Sequence, residues 1–333
     1  MMARHRLLGI GSSTDFTQAV RDQLAALGIT SFGVGDLVGF SSKKREKLGV
    51  FGGKSDVMKQ VLQNQQELEA IIGHGDLLPA AFDTVFNGNE DIIQFLTQNT
   101  ELLRQALVEF GQYRQFQIMI SWQKDRMLQK LKSAMQHQSG TADMQATSKN
   151  DVARIIQNMT ETIRVEVFQE IEKDLRSVCQ DIAFLPVDDP AAIGNYVCLI
   201  KGPMASQKSL SVFEKKLEEI DKRYEDGLHI RMLGPLPPIT FATIKKEDIE
   251  QSRIKKALRA LNIEKITSSE QIKEAYHRYM KTAHPDTGGD TNDASSGTAA
   301  YALLKCISEQ ALDADLSQND VFSLCRIEKA EAA

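Results

Sequence analysis

The residues best suited to chemistry in this chain form a cationic stripe that ends at a histidine, a proline and an aspartate. They lie in IKEAYHRYMKTAHPDTGGD, residues 272–290, where four side chains recur at helical spacing: Lys273, His277, Lys281 and His284. This spacing places all four on one face of a helix. Pro285 ends that helix because its ring removes a backbone donor and restricts the preceding residue. The pattern predicts a basic helix followed by a loop that carries the carboxylate of Asp286.

The same helix has a separate apolar face that must pack on neighbouring helices. Ser269 is its predicted N-cap. The apolar positions on one side are Ile272, Ala275, Tyr276, Tyr279 and Ala283.

Other combinations that suggest chemistry are incomplete. Gly52-Gly53-Lys54-Ser55 resembles the end of a phosphate-binding loop, but GxxxxGKS requires glycine where Leu48 stands. The pair Gly9 and Gly11 lacks the third glycine of a dinucleotide site. The sequence contains no nucleophile elbow, no HExxH and no paired carboxylates around a histidine. We therefore predict no enzyme activity, no cofactor and no metal.

Composition and charge narrow the class further. The 333 residues suit two or three domains, and 42% apolar with 26% charged residues is typical of a globular protein. A net charge of −5 argues against sequence-independent nucleic-acid binding. No apolar run reaches the roughly 18 to 20 residues of a membrane helix. The four widely spaced cysteines predict free thiols and a cytoplasmic location: Cys179, Cys198, Cys306 and Cys325.

Periodicity predicts a first α+β unit over residues 1–137. Its clearest element is a strand at Arg114–Trp122, where apolar and polar residues alternate. A polar stretch at 138–148 predicts a linker.

A second α+β unit is predicted over residues 149–244. It begins with a long amphipathic helix and includes strands at Tyr196–Ile200 and His229–Leu233. Beyond Lys245 the chain is charged and helical without a strand pattern, which predicts a third, all-helical unit.

The basic helix and its HPD sequence resemble a J domain, the module of DnaJ-type co-chaperones. The resemblance covers about residues 249–315, with a second helix predicted at Tyr301–Leu312. It implies docking to a DnaK-type chaperone ATPase, with one group of residues triggering hydrolysis and another meeting an acidic surface. The first group is His284, Pro285 and Asp286, and the second is Lys273, Arg278 and Lys281. The alternative is a capped helix pair in which HPD only ends a helix.

A second resemblance is to the gas vesicle GvpL/GvpF family. LLPAAFDTVF at Leu77–Phe86 is similar to that family's LPxxFGTVF, and GPLPPITF at Gly234–Phe241 is similar to its GPWPPYSF. Asp83 and Leu236 depart from the family's usual Gly and Trp. The family implies an accessory protein of gas vesicle formation that acts with the hydrophobic shell subunit. A structural reading of these segments places Pro79, Phe82 and Phe86 in a buried strand and packs Phe241 inward.

Together these patterns predict two small α+β units, a J domain at 249–315 and a tail at 316–333. The predicted function is gas vesicle assembly in the cytoplasm, with shell protein, other gas vesicle proteins and a DnaK-type chaperone as partners, and without nucleic acid or membrane. Two alternatives are a minor structural component of the vesicle with a non-recruiting tail, and a general co-chaperone unrelated to gas vesicles.

Overall fold

The chain folds into two antiparallel sheets with packed helices, followed by a two-stranded ribbon whose strands are connected by a segment that contains three helices. The computed structural model describes residues 4–43, 54–123, 149–187, 189, 191–202, 207–225, 227–284, 290–310 and 321–329. The predicted mixture of helices and strands is confirmed. The predicted linker at 138–148 lies outside the described residues.

The first sheet is organised around strand β1 (His5–Ser12). The strands β2 (Ile29–Val34), β3 (Leu37–Lys43) and β4 (Leu78–Pro79) complete the antiparallel order β2-β3-β1-β4. The short β5 (Val85–Phe86) also pairs with β1. Residues Arg6 to Gly11 of β1 are all buried, because helices cover both faces of the sheet.

Two helix layers cover these faces. Helices α1 (Gln18–Ala26) and α2 (Lys54–Ile72) form one apolar cluster with the sheet. Helices α3 (Asn89–Gln98) and α4 (Thr100–Ala106), with a π-helical turn at Leu107–Gly111, form the other. The largest fully buried side chains of the first cluster are Phe16, Phe40, Leu8, Leu24, Ile29, Leu68, Ile71 and Ile72. Burial of such apolar side chains contributes about 1.5–3 kcal/mol each.

The two glycines of β1 serve close packing within this unit. A Cβ atom at Gly9 would lie 2.5 Å from the carbonyl oxygen of Leu78, and one at Gly11 would lie 2.3 Å from the ring of Phe16. Backbone and ring approach the strand too closely for any side chain at these positions.

The second sheet contains β6 (Tyr113–Trp122), β7 (Asp181–Phe184), β8 (Ala192–Lys201) and β9 (Leu228–Leu236). Their antiparallel order is β7-β8-β6-β9. The predicted strand at Arg114–Trp122 is confirmed as β6, but it lies in this second sheet, whereas the predicted boundary at 137 assigns it to the first unit. Local alternation shows that a strand forms, and only long-range pairing determines which sheet it joins.

Two helices cover one face of the second sheet. They are α5 (Lys149–Arg176) and α6 (Gln207–Arg223). The apolar stripe of α5 packs onto the sheet through Val167, Ile171 and Leu175. The other face carries a smaller cluster in which Phe241 packs against Val197 and Leu199.

Arg114 connects the two units at the start of β6. Its guanidinium donates hydrogen bonds to the carbonyl oxygens of Gly111 at 2.9 Å and Gly75 at 3.0 Å, and it forms an ion pair with Asp76 at 3.3 Å. Burial lowers the pKa of Arg114 and raises that of Asp76, because both charges lose contact with water. The connection therefore depends on the hydrogen bonds and on the ion pair together.

The chain beyond residue 241 contains two strands, so the expectation of no strand after Lys245 is wrong. Strands β10 (Ala242–Glu250) and β11 (Val321–Lys329) pair antiparallel along their whole length. We call this pair the C-terminal ribbon. Residues 321–329 of the predicted tail therefore belong to a sheet. Because β10 is highly charged, its sequence shows no strand pattern. The strand is defined by its pairing with the distant β11.

The C-terminal ribbon is anchored on the first unit. The carbonyl oxygen of Ile244 accepts hydrogen bonds from the Ala81 N–H at 2.8 Å and from the Thr84 hydroxyl at 3.3 Å. Ala242, Ile244 and Cys325 are fully buried in the cluster formed with α3 and α4. The ammonium of Lys329 pairs with Glu109 at 2.9 Å.

We expect Arg114→Lys to lower the free energy of unfolding by about 2–3 kcal/mol, because lysine cannot reach both carbonyl oxygens and Asp76 at once. Urea denaturation of the full chain measures this change. The matched control is Arg104→Lys, at a half-exposed arginine paired with Asp36, where we expect a change below about 1 kcal/mol. Equal effects of the two substitutions would show that the contacts of Arg114 do not stabilise the connection between the two units.

Candidate partner-binding surface of the C-terminal helices

Three helices lie in the chain segment that connects the two strands of the C-terminal ribbon. They form a separate apolar core. They are α7 (Gln251–Ala260), α8 (Ser269–Ala283) and α9 (Thr291–Gln310). Because β10 and β11 flank them, this part of the chain is not all-helical. The helix predicted at Tyr301–Leu312 begins ten residues earlier, at Thr291. The buried residues of this core are Ile249, Ile254, Ala257, Leu261, Ile272, Ala275, Ala300, Leu303, Leu304, Ile307 and Leu324.

Helix α8 is the basic helix, and its N-cap is Ser268 rather than the predicted Ser269. The hydroxyl oxygen of Ser268 accepts a hydrogen bond from the Gln271 N–H at 3.4 Å. Both serines suit the position chemically, and the carbonyl oxygen of Ser268 accepts the first helical hydrogen bond, from the Ile272 N–H at 3.0 Å.

The apolar face of α8 packs antiparallel against α9, as the sequence predicts for its buried side. The rings of Tyr276 and Tyr301 stack at a centroid distance of 4.5 Å. Near the other end, the Tyr279 hydroxyl donates a hydrogen bond to the carbonyl oxygen of Asp293 at 3.1 Å. Gly297 allows this approach, because a Cβ there would lie 2.3 Å from the Tyr279 ring. The two helices form a rigid hairpin.

The opposite face of α8 presents the predicted cations to solvent. Lys273, Arg278 and Lys281 are all exposed, and His277 lies among them. None of the three forms an ion pair within the described ranges of the chain. The segment 251–284 carries eight Lys or Arg residues and three Glu residues, in a chain of net charge −5. This surface therefore favours an acidic partner.

The position of the HPD sequence is defined only by its histidine. Helix α8 ends at Ala283, as predicted, and His284 follows in an extended conformation with its N–H donating to the carbonyl oxygen of Met280 at 3.0 Å. The His284 side chain is exposed at this end of the cationic face. Pro285 and Asp286 lie outside the described residues.

Helix α7 adds cations that the sequence analysis did not single out. Lys255, Lys256 and Arg259 are exposed on its surface, while Ile254 and Ala257 face the core. The signal was present in the sequence, since Lys255 and Arg259 are four residues apart on one helical face.

The aromatic side chains of the two motif segments differ in burial. Pro79 and Phe86 are buried as predicted, but Phe82 is 40% exposed, so the prediction that Phe82 is buried is wrong. The guanidinium of Arg6 lies 4.6 Å from the Phe82 ring centroid. The prediction that Phe241 packs inward is confirmed, as its side chain is 3% exposed.

In the described part of the chain, no group of three or more His, Cys, Asp or Glu side chains is placed to hold a metal ion. None of the helices in this part combines the length and apolar character needed to cross a bilayer.

Comparison with known proteins identifies relatives of the first two units. Residues 33–243 match the family model described as gas vesicle synthesis protein GvpL/GvpF. The chain is 24% identical over 204 residues to gas vesicle protein L of Haloferax mediterranei. This alignment covers 56% of this chain and 62% of that relative. It is also 24% identical over 203 residues to gas vesicle protein L1 of Halobacterium salinarum, covering 56% of this chain and 71% of the relative.

A solved structure shares the fold. The crystal structure of gas vesicle protein GvpF from Anabaena sp. PCC7120 superposes with a TM-score of 0.53 at 18% sequence identity, covering 72% of this chain and 95% of that chain. The family match ends at residue 243, at the beginning of β10. Helices α7 to α9 therefore lie beyond the matched segment.

We expect Gly297→Ala to destabilise the hairpin of α8 and α9 by about 1–3 kcal/mol, because the added methyl group meets the Tyr279 ring. Hydrogen exchange of the α9 amides should increase in the variant. Ser296→Ala, at the exposed neighbouring position, is the control and should leave exchange unchanged. Slower exchange in Gly297→Ala, as helix propensity alone predicts, would contradict the close packing.

Proposed function

The chain belongs to the gas vesicle synthesis protein GvpL/GvpF family, and from this premise we propose that it is an assembly factor that recruits a chaperone to gas vesicle shell protein. The first two units bind the shell subunit or the growing shell. The C-terminal helices dock a DnaK-type ATPase in the manner of a J domain. The observation that carries the chaperone part is the cationic face of α8, which ends at His284.

The arrangement of the C-terminal helices supports the chaperone role. Helices α8 and α9 pack antiparallel, His284 follows the end of α8, and the exposed cations Lys273, Arg278 and Lys281 lie on the outer side. Charges in such positions increase the rate and the specificity of encounter with an acidic surface. This role adds to the family's part of the chain, because the helices lie beyond residue 243.

The C-terminal ribbon supports coupling between the two activities. Its two strands are connected by the segment that contains the helices. Near the start of β10, Ile244 is hydrogen-bonded to Ala81 and Thr84 of the first unit. A chaperone docked on α8 would therefore be held close to a client on the same chain, which raises its effective concentration at that client.

The edge of the second sheet offers a surface for an apolar client. Strand β9 is an edge strand, and its consecutive residues Arg231, Met232 and Leu233 are exposed. Met119 on β6, opposite Arg231, is 38% exposed. Adjacent residues on a strand point to opposite faces, so side chains on both faces of β9 are exposed here. An open edge accepts an added strand, and apolar neighbours favour an apolar one.

The physical need for such a protein follows from the client. An unassembled subunit with exposed apolar surface aggregates, and holding it on an edge strand until a chaperone arrives prevents that outcome. The protein itself catalyses no reaction in this scheme. Its location is at gas vesicles in the cytoplasm.

We expect Lys281→Glu and Asp286→Asn each to reduce stimulation of a DnaK-type ATPase by the full chain about tenfold, equivalent to about 1.4 kcal/mol of lost interaction. Single-turnover ATP hydrolysis measures this effect. The matched control Lys265→Glu makes the same charge change at an exposed lysine between α7 and α8 and should retain stimulation. In cells that form vesicles, Asp286→Asn should lower vesicle yield.

Two results would contradict the chaperone role. An ATPase indifferent to both variants, with stable retention of the protein on floating vesicles, favours a structural component with a non-recruiting tail. Stimulation without any association with shell protein favours a general co-chaperone.

We expect Leu233→Lys to reduce co-purification of the co-expressed shell subunit at least about fivefold, because the new charge meets an apolar client on the open edge of β9. Val108→Lys is the control, since Val108 is 70% exposed on the π-helical turn and lies outside this sheet. If both variants retain the shell subunit as the wild type does, the client binds elsewhere.

A further inference from the structure

Strand β2 lies at an edge of the first sheet and carries no charge. In the described part of the chain, β2 pairs with β3 alone. Its sequence, ITSFGV at Ile29–Val34, contains neither a charged residue nor a proline. Thr30 and Gly33 are exposed, and Ser31 and Phe32 are half-buried. The backbone of such an edge strand is available for pairing with another strand.

The other described edge strands have features that discourage pairing with a copy of themselves. Strands β4 and β5 are each two residues long. Strand β7 begins with the exposed Asp181, and β9 carries Arg231 and Pro235. Both strands of the C-terminal ribbon are rich in charged residues. Short length, charge and proline protect edge strands against association, and β2 has none of the three.

The turn between β2 and β3 determines which backbone groups of β2 point outward. Gly35 and Asp36 form a two-residue turn, in which Gly35 has a φ of +62°. In such a hairpin the two residues that flank the turn exchange hydrogen bonds, and the pattern alternates along each strand. The backbone N–H and C=O groups that point away from β3 are therefore those of Ile29, Ser31 and Gly33.

We propose that β2 is the surface on which a second copy of this chain docks, through an antiparallel β2–β2 pair about a twofold axis. An axis at Ser31 places this residue opposite its own copy, and it places Ile29 opposite Gly33 of the second copy. This register uses every outward-pointing residue of both strands. The two first sheets then form one continuous sheet. The interface does not depend on the proposed function.

The surroundings of β2 suit a second copy. Because β2 has no charged residue, no like charges oppose each other when the strand pairs with itself. Leu27, two residues before the strand, is 64% exposed, and the proposed register brings it near the Gly35 turn of the second copy. A Cβ atom at Gly35 would have no neighbour within 4 Å, so the space beside this turn is open. Docking therefore covers one exposed apolar side chain at each end of the shared edge.

Sedimentation velocity of the full chain tests the proposal. We expect the wild type to change from monomer to dimer as its concentration is raised. Ser31→Lys should raise the dissociation constant of the dimer at least about tenfold, because the twofold axis places the two new charges side by side. Ser296→Lys introduces the same charge at an exposed serine of α9 and should leave the dimer intact.

A cysteine placed at the axis tests the register. Residues that exchange hydrogen bonds in an antiparallel pair have Cα atoms about 5.5 Å apart, which a disulfide can span. Oxidation of Ser31→Cys should therefore give a covalent dimer, and peptide mapping should join position 31 of one copy to position 31 of the other. Thr30→Cys is the matched control. Thr30 lies opposite Phe32 of the second copy, so the two cysteines would be diagonal neighbours at a separation beyond the usual span of a disulfide.

Three outcomes would overturn the proposal. The first is a wild type that stays monomeric at every concentration, which would leave the edge to some other partner. The second is a dimer that Ser31→Lys does not weaken, which would lie at a different surface. The third is cross-linking of Thr30→Cys as fast as that of Ser31→Cys. Because Ser31→Cys replaces only an oxygen atom by sulfur, it decides the question if Ser31→Lys prevents folding.

Discussion

Pairing of β10 with distant parts of the chain holds the C-terminal half of the molecule in place. The Ile244 carbonyl oxygen binds Ala81 and Thr84, while the whole of β10 pairs with β11, the last described strand. Both strands bury residues in the first unit's core. Helices α7, α8 and α9 follow β10 and precede β11 in the chain. Their position relative to the first unit therefore depends on these few hydrogen bonds, which are protected from water.

The contacts of Arg114 also connect distant parts of the chain through hydrogen bonds that are protected from water. Arg114 is the first buried residue of β6, and it donates a hydrogen bond to the carbonyl oxygen of Gly75, in the segment that follows α2. Its charge is costly to bury and is compensated only when all its partners are present. These two contacts connect apolar cores that the local sequence defines separately, as the proposed handover between client and chaperone would require.

The two halves of the proposed function use different physical interactions. Strand β9 lies at the edge of the described sheet and exposes the apolar side chains of Met232 and Leu233, which suit an aggregation-prone client. The outer face of α8 is cationic and hydrated, which suits fast and specific encounter with an acidic partner. Because the two surfaces lie on separate elements, a client bound at β9 would leave the proposed docking face on α8 free.

The sequence by itself determined features that depend on neighbouring residues. The end of α8 before Pro285, its buried and cationic faces, and the alternation of β6 all follow from local backbone and side-chain periodicity. Tertiary structure alone decided that β6 joins the second sheet, that charged β10 forms a ribbon with β11, and that Phe82 is exposed. These outcomes depend on pairing between segments far apart in the chain, and no local pattern specifies the partner.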